Sequence, residues 1–286
     1  MSVEIISVSS HKELKAFVQF YYDLYRSCPS AVPFLFSDEM KTLDKTKNPA
    51  FEFCDAKYFL AYKDGRLCGR IAGIVNHRAN DYWQSKAVRF GWFDFVDDPE
   101  VSSALLQAVA KWGASQGLTL LVGPMGFEDM DREGLLVEGF DEISSMYVNY
   151  NYPYYQEHLE RLGFVKDNDY VEYKVKVPEV TPQKFARTAE MGYGLQTRKF
   201  NRHDMVEGRR AYELFDVLNI TYKDLYGFSH LSSSQIKRLV EEYISLADLN
   251  LVSCVVDTRH NDKLVGFGVS FPSFSRALRR TRDGRL

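Results

Sequence analysis

The spacing of apolar side chains changes several times along the chain, and each change marks an element. Residues 3–8 form a short run rich in β-branched side chains. Residues 11–26 then place Leu14, Phe17, Val18, Tyr21, Leu24 and Tyr25 at the intervals of an amphipathic helix. Ser10 stands where an N-cap is needed, with Glu13 three residues on to complete a capping box. Residues 29–53 hold no steady period and contain three prolines, so they read as loop with one short helix. Residues 57–62 and 66–76 are β-rich and flank Lys63-Asp64-Gly65, and Asp-Gly between such runs predicts a tight hairpin.

Residues 88–95 predict another strand. Asp97-Asp98-Pro99-Glu100 then opens a helix that runs to Gln116, since carboxylates suit a helix N-terminus and proline its first turn. Gly117 ends that helix, and residues 118–122 read as a strand stopped by Gly123-Pro124. Residues 127–142 form a connection with seven carboxylates against the single Arg132. A helix over 153–162, closed by Gly163, and an alternating run over 170–177 that reads as a final strand complete this half.

Pro178-Glu179-Val180-Thr181-Pro182 breaks the pattern, and residues 179–193 read as a linker between domains at 1–178 and 194–286. Beyond it the order begins again, with a strand over 195–200, helices over 204–225 and 232–244, and a hairpin of 251–257 with 264–271. Arg66-Leu67-Cys68-Gly69-Arg70 and Lys263-Leu264-Val265-Gly266-Phe267 are alike and lie 197 positions apart, which hints at a duplication. The second copy has only residues 272–286 after its hairpin, too few to close the same sheet. This predicts either a second unit of different, smaller architecture or, the favoured reading, an incomplete second domain in a shortened version of a longer chain. The tail over 276–286 holds five arginines and one aspartate.

Composition narrows the function classes. At about 150 residues per domain, 286 residues allow about two domains. Contents of 45% hydrophobic and 26% charged residues exclude a disordered or fibrous chain. With 36 basic and 39 acidic residues the net charge is −3, so neither nucleic acid nor membrane is expected as a partner. No apolar run approaches the ~18 residues of a membrane helix, and residues 1–10 carry no signal-peptide pattern, so the expected location is cytoplasmic. Cys28, Cys54, Cys68 and Cys254 are widely spaced and read as reduced thiols, and the six histidines are dispersed, so no metal is expected. No nucleophile elbow, zinc-binding His-Glu-x-x-His or phosphate-binding loop is present. Aromatic residues reach 14%, which suits a sheet packed on aromatic helices or a pocket for a flat or oily ligand.

Three features of the first half resemble the GNAT superfamily of N-acyltransferases. They are its element order, the hairpin opening Leu67-x-Gly69, and the segment Tyr154-Tyr155-Gln156-Glu157-His158-Leu159-Glu160-Arg161-Leu162-Gly163-Phe164. The likeness covers residues 3–178, with the beginning of a second copy over 194–275. Gly134-Leu135-Leu136-Val137-Glu138-Gly139-Phe140, Gly123-Pro124 and the tyrosine-rich residues 146–155 are similar to a bacterial branch built of two such domains in tandem. The resemblance implies an α/β (α+β) class, a three-layer α/β/α fold with a mixed, mainly antiparallel sheet. It further implies transfer of an acetyl or other acyl group from acetyl-CoA or another acyl-CoA to a small-molecule amine, without a metal.

The resemblance also implies roles. Tyr154 and Tyr155 stand for the tyrosine that protonates the departing thiolate, although the family's usual position falls on Leu159 here, and both serve equally well to pack the helix on the sheet. His158 follows Tyr155 by three residues and is a candidate base. In the acidic connection Glu138 and Asp141 flank Gly139-Phe140 and are candidates for holding a cationic acceptor, against the plainer reading of a solvated loop. The tyrosines at 147, 150 and 152 suit an acyl groove, the core, or the interface of a homodimer. One departure concerns the donor. The family cradles the pyrophosphate of coenzyme A on backbone amides in a Gln/Arg-x-x-Gly-x-Gly/Ala turn. Here the equivalent Val96-Asp97-Asp98-Pro99-Glu100-Val101-Ser102 has no glycine and three carboxylates, so no cofactor-binding residue is assigned. A catalytically silent GNAT-fold module that binds a ligand or partner therefore stands as the alternative.

Overall fold

The computed structural model describes residues 2–190, 193–244, 247–281 and 283–285. Two compact units emerge, one of Met1–Asp169 with Tyr226–Ser229 and Ser273–Leu286, the other of Tyr170–Leu225 with His230–Pro272.

The first unit runs β1 (Glu4–Ser7), α1 (His11–Leu24), α2 (Phe36–Thr42), a 3-10 turn at Pro49–Glu52, β2 (Cys54–Lys63), β3 (Arg66–Asn76), α3 (His77–Tyr82), β4 (Ala87–Phe95), α4 (Pro99–Ser115), β5 (Leu120–Val122) and α5 (Tyr154–Arg161). Its five strands lie side by side in chain order, antiparallel throughout except for the parallel pair β4 and β5. The capping box of α1 forms as read, and the amides of Ser9 and Ser10 hold the Glu13 carboxyl down at about 2. Asp64 and Gly65 both take positive φ, 54° and 74°, the left-handed pair that closes a two-residue hairpin between twisted strands.

Alternation along β2 and β3 sorts side chains to two faces. Tyr58, Leu60, Ala72 and Ile74 join Phe17, Val18 and Tyr21 of α1 in one layer. Phe59, Ala61, Ile71 and Val75 join Val101, Leu105 and Val109 of α4 in the other. This helix, sheet, helix layering of a mixed, mainly antiparallel sheet is GNAT-like. In β4 the alternation slips once. Arg70 pairs with Asp94 and Ala72 with Gly91, so Trp92 and Phe93 together oppose Ile71, a bulge with Trp92 at φ 44°. Phe93 and Phe95 therefore stay on the α4 face with Phe90, while Trp92 turns to the α1 face.

The second unit holds α6 (Gln183–Glu190), β6 (Leu195–Arg198), α7 (Arg202–Val206), α8 (Arg210–Thr221), α9 (Ser233–Leu239) continued by a π turn at Val240–Ile244, a 3-10 turn at Leu249–Leu251, β7 (Val252–Asp257), a 3-10 turn at Thr258–His260 and β8 (Lys263–Val269). β6, β7 and β8 form an antiparallel sheet in that order. The short α10 (Ser275–Arg280) follows and belongs to the first unit. The two alike pentapeptides open β3 and β8, and each carries a bulge at the same place. Tyr62 pairs with Leu67 and Ala61 with Gly69, leaving Cys68 over; Val256 pairs with Leu264 and Val255 with Gly266, leaving Val265 over. Leu-x-Gly is thus a bulge signature, and the second unit repeats the strand, helices and bulged hairpin that begin the first.

Several elements differ from their sequence reading. Residues 170–177 form no strand, and Val171, Tyr173, Val175 and Val177 are 67–81% exposed. An alternating run becomes a strand only where an edge is offered to it. The single helix expected over 204–225 is two, α7 and α8, because Gly208 lies against the backbone of Asp204 and Arg209 takes φ 60°. The helices α3, α6 and α10 span six to eight residues, too few to show a period.

Between the layers of the first unit lies one ion pair. Arg70, 2% exposed, sends Nε and Nη2 to Asp94 Oδ2 at 2.7 Å each and Nη1 to the Phe17 carbonyl at 3.0 Å, and lies over the rings of Phe17 and Tyr21. Asp94 Oδ1 accepts from the hydroxyls of Tyr25 at 3.2 Å and Tyr155 at 3.5 Å, which are themselves 2.8 Å apart. Removing one partner strands a buried charge, so Arg70→Leu is expected to cost about 3–5 kcal/mol, and Arg70→Leu with Asp94→Leu less than Arg70→Leu alone. Urea titration of these two variants, Asp94→Leu and the unaltered chain measures this, and a double variant as unstable as the sum of the two single ones would remove the pair from its central place.

Candidate active site

β4 and β5 pair only over Ala87–Arg89 and Leu120–Val122. At the cis Gly123–Pro124 peptide the chain leaves the sheet, and the Met125 amide donates to the Phe90 carbonyl at 2.8 Å. Gly91 is required there, because a Cβ would sit 2.3 Å from the Met125 carbonyl oxygen. Past this point β4 has no strand on its outer side, and α5 supplies the partners. The Phe95 amide donates to the Tyr155 hydroxyl at 3.2 Å, and the Tyr154 hydroxyl donates to the Phe95 carbonyl at 2.5 Å.

Tyr155 is enclosed, 1% exposed, with its hydroxyl shared among Tyr25, Asp94 and Phe95. Tyr154 is half-buried and stacks on Tyr152. Burial pushes both phenols well above their ordinary value, with the Asp94 carboxylate adding to it for Tyr155, so both remain protonated at neutral pH. His158, one turn further, is buried; its Nε2 lies 2.9 Å from Asp97 Oδ1 and its Nδ1 2.7 Å from Ser102 Oγ. If the Nε2 hydrogen goes to the Asp97 carboxylate, Nδ1 accepts the serine hydroxyl. The three residues match a hydrolytic triad in type. Ser102, however, is fully buried and also lies 3.2 Å from the Pro99 carbonyl, so the group works as a clamp between α5 and the start of α4.

The turn before α4 is occupied by its own side chains. Asp98 caps the helix through the Glu100 amide at 2.9 Å and takes Lys63 Nζ at 2.6 Å, and Lys63 also reaches Glu100 at 2.9 Å. With three carboxylates present and its capping donor used, the turn does not fit a diphosphate. Glu138 and Asp141 lie exposed on the long connection, and neither makes a hydrogen bond or ion pair among the described residues. No group of three or more His, Cys, Asp or Glu with metal-binding geometry occurs among the described residues.

Sequence reading missed a polar cluster on the α1 face. Glu39 of α2 is buried and receives Arg132 Nη2 at 2.6 Å and the Trp92 indole N–H at 2.7 Å, while the Arg132 guanidinium covers the Phe34 ring. Burial alone would raise Glu39, but Arg132, Arg70 and the indole together hold it below its ordinary value. The bulge in β4 is what delivers Trp92 to this carboxylate. Beyond it the connection folds back on itself. Asp131 accepts the amides of Phe127 at 2.7 Å and Glu128 at 3.4 Å, while Arg89 and Asn76 donate to the Phe127 carbonyl. Burial raises Asp131. Asp129 rides on this frame with Oδ1 buried and without a hydrogen-bond partner, and burial raises its carboxyl to about 6. A carboxyl so poised exchanges protons near neutrality.

No family model matches the chain. It is 26% identical over 255 residues to a bacterial ceramide synthase of Caulobacter vibrioides, covering 87% of this chain and 65% of that protein. It is 27% identical over 252 residues to protein YghO of Escherichia coli, covering 85% and 64%. The chain therefore spans just under two thirds of the length of these curated relatives. Among solved structures, a tandem GNAT protein from the clavulanic acid biosynthesis pathway aligns with 93% of this chain and 73% of its own, at 12% identity and a TM-score of 0.48. A predicted acetyltransferase of Clostridium acetobutylicum, solved with acetyl-CoA, aligns with 60% of this chain and 96% of its own, at 5% identity and a TM-score of 0.37.

Two outcomes are expected of these side chains. Tyr155→Phe leaves the Phe95 amide without its acceptor and should cost about 1–3 kcal/mol, seen as a lower melting temperature; an unchanged one would mean that the hydroxyl network carries no stability. Asp129 gives a pH signature. Its folded value of about 6 lies above the ordinary ~4, so between these values the folded chain keeps a proton that the unfolded chain has lost, and stability falls as pH rises through this window. Asp129→Asn should accordingly raise the melting temperature relative to the unaltered chain at pH 7.5 and make no difference near pH 4. A gain independent of pH would refute the raised carboxyl.

Proposed function

We propose that this GNAT-like chain carries an N-acyltransferase site that moves an acyl group from a thioester donor, acetyl-CoA or a longer acyl-CoA, to an amine. The observation that carries this reading is the similarity along 87% of the chain to a bacterial ceramide synthase. Ceramide is the amide of a long-chain amino alcohol, so a protein that makes it forms an N-acyl bond, and a long-chain amine is the acceptor class proposed here. The aromatic content and the tyrosines around α5 suit an oily acceptor.

In the proposed step the amine nitrogen attacks the thioester carbonyl carbon. The C–N bond forms, the C–S bond breaks, and the electron pair leaves on sulfur. One proton leaves the nitrogen and one reaches the sulfur, so the exchange balances. Asp129, ionised above about pH 6 and with a free oxygen, is the proposed acceptor of the first. The second comes from solvent, because Tyr154, bonded to the Phe95 carbonyl, lies at the other end of β4 and on the other face of the sheet from the connection that carries Asp129. Tyr155 and His158 act as positioning residues for α5, and Glu138 and Asp141 offer exposed negative charge to an approaching ammonium group. No step is assigned to the turn before α4.

One observation favours a second reading: that turn is filled by Lys63, Asp98 and Glu100, which suits a silent binding module. Incubation with palmitoyl-CoA or acetyl-CoA and a long-chain amino alcohol separates the two, with thiol release and amide mass as readouts. Amide formation is expected, with Asp129→Asn lowering kcat/KM about 100-fold and abolishing the acid limb near pH 6. A thermal shift with donor but no amide at any amine tried would leave the silent module. Amide formation undiminished in Asp129→Asn would remove that carboxylate from the step.

A further inference from the structure

The basic tail is not a loose end. Its helix α10 is fixed on one side by the buried Leu278 and by Ser275 Oγ, which donates to the Ser144 carbonyl at 3.0 Å. Ser144 in turn donates its amide to the Ser30 carbonyl at 3.0 Å. Past the helix the Gly284 carbonyl accepts the Phe36 amide at 2.9 Å, at a point where a Cβ would meet the Phe34 carbonyl oxygen at 2.0 Å. Arg285 is consumed by this anchoring, paired with Asp283 and Gln19 and lying over the Phe36 ring. Arg282 lies outside the described residues. Arg276, Arg279 and Arg280 are in a different position. Their spacing of three and four puts them on one face of α10, and with Ile143 they line a cavity of about 390 Å³. Asp141 and Glu142 precede Ile143 in the chain, yet none of the three guanidinium groups forms an ion pair or hydrogen bond among the described residues. Three like charges crowded on two turns of an anchored helix oppose one another, and although Arg279 and Arg280 gain from the C-terminal end of α10, no carboxylate pairs with any of the three among the described residues.

We propose that Arg276, Arg279 and Arg280 with Ile143 form a binding site for a phosphate group. The planar guanidinium fork matches two phosphate oxygens at once, and three such forks around one cavity supply a net positive surface that the chain's overall charge of −3 conceals. The half-exposed Ile143 in its lining adds apolar contact. The phosphate could belong to a lipid headgroup or to a soluble phosphate ester, and the site is independent of the acyl-transfer reading. The full chain is tested by co-sedimentation with phosphatidylcholine vesicles with and without phosphatidylglycerol, and by thermal shift with inorganic phosphate and with coenzyme A. Arg279→Gln with Arg280→Gln should weaken retention roughly 25-fold, since each basic residue near an anionic surface is worth about a fivefold change, and 0.5 M salt should do the same. The triple variant Arg276→Lys, Arg279→Lys, Arg280→Lys keeps the charge but loses the forks, and should bind more weakly than the unaltered chain while keeping more than the double glutamine variant. Retention only on phosphatidylglycerol vesicles supports a lipid phosphate, and stabilisation only by coenzyme A or phosphate supports a soluble one. No binding by the unaltered chain to any of these, or binding undiminished in the double glutamine variant, overturns the site. If the glutamine variant fails to fold, the lysine variant decides: weakened binding in the folded protein supports the guanidinium site, and binding equal to that of the unaltered chain overturns it.

Discussion

A guanidinium sealed between apolar layers has to be neutralised and fully bonded before those layers can close. Arg70 sets that demand in the first unit. Asp94 answers the charge, the Phe17 carbonyl takes the remaining donor, and the rings of Phe17 and Tyr21 cover its face. Asp94 then needs bonds of its own, and it finds them in Tyr25 and Tyr155. One ion pair thereby ties β3, β4, α1 and α5 to a common point. The cost of burying two charges is several kcal/mol per ion when unpaired, so the geometry of all four elements is set by the need to keep the pair intact.

That constraint explains how the outer edge of β4 is closed. Once α5 is held by Tyr155, its neighbour Tyr154 meets the carbonyl of Phe95, and His158 on the next turn clasps Asp97 and Ser102. The edge is closed by phenols rather than by a strand. On the opposite face the connection after β5 is pinned by Glu39, Arg132, Asp131, Arg89 and Asn76, all of whose polar atoms described above have partners. Asp129 rides on that frame with a buried oxygen lacking a hydrogen-bond partner. A well-bonded surround with one unsatisfied carboxylate is the arrangement in which a proton can be moved without rearranging the protein.

Local features of the fold were legible in the sequence because local chemistry decides them. Ser10 and Glu13 start α1, Asp64-Gly65 turns the hairpin, and Gly117 and Gly163 end helices with φ of 77° and 86°. The Leu-x-Gly likeness between the hairpins has a physical cause in a shared bulge. The site was less legible. Arg70 joins Asp94 across 24 positions, Tyr25 joins Tyr155 across 130, and Glu39 joins Arg132 across 93, and no periodicity reports such pairings. Signals were nonetheless present. Arg70 interrupts an apolar strand, Asp94 lies between two phenylalanines, and Trp92-Phe93 sets two aromatic residues where alternation allows one. Residues 170–177 show the converse, an alternating pattern with no edge to receive it.

The bulge in β4 leaves the molecule with a built-in optical reporter. Of the three tryptophans, Trp112 on α4 lies against Gly73 on the far side of the sheet, and Trp83 donates its indole N–H to the Phe228 carbonyl. Trp92 alone is bonded to the Glu39 carboxylate beside Arg132. Its emission is therefore tuned by the charge state and occupancy of that cluster, and fluorescence of the unlabelled chain reads events there that absorbance or activity would register only indirectly.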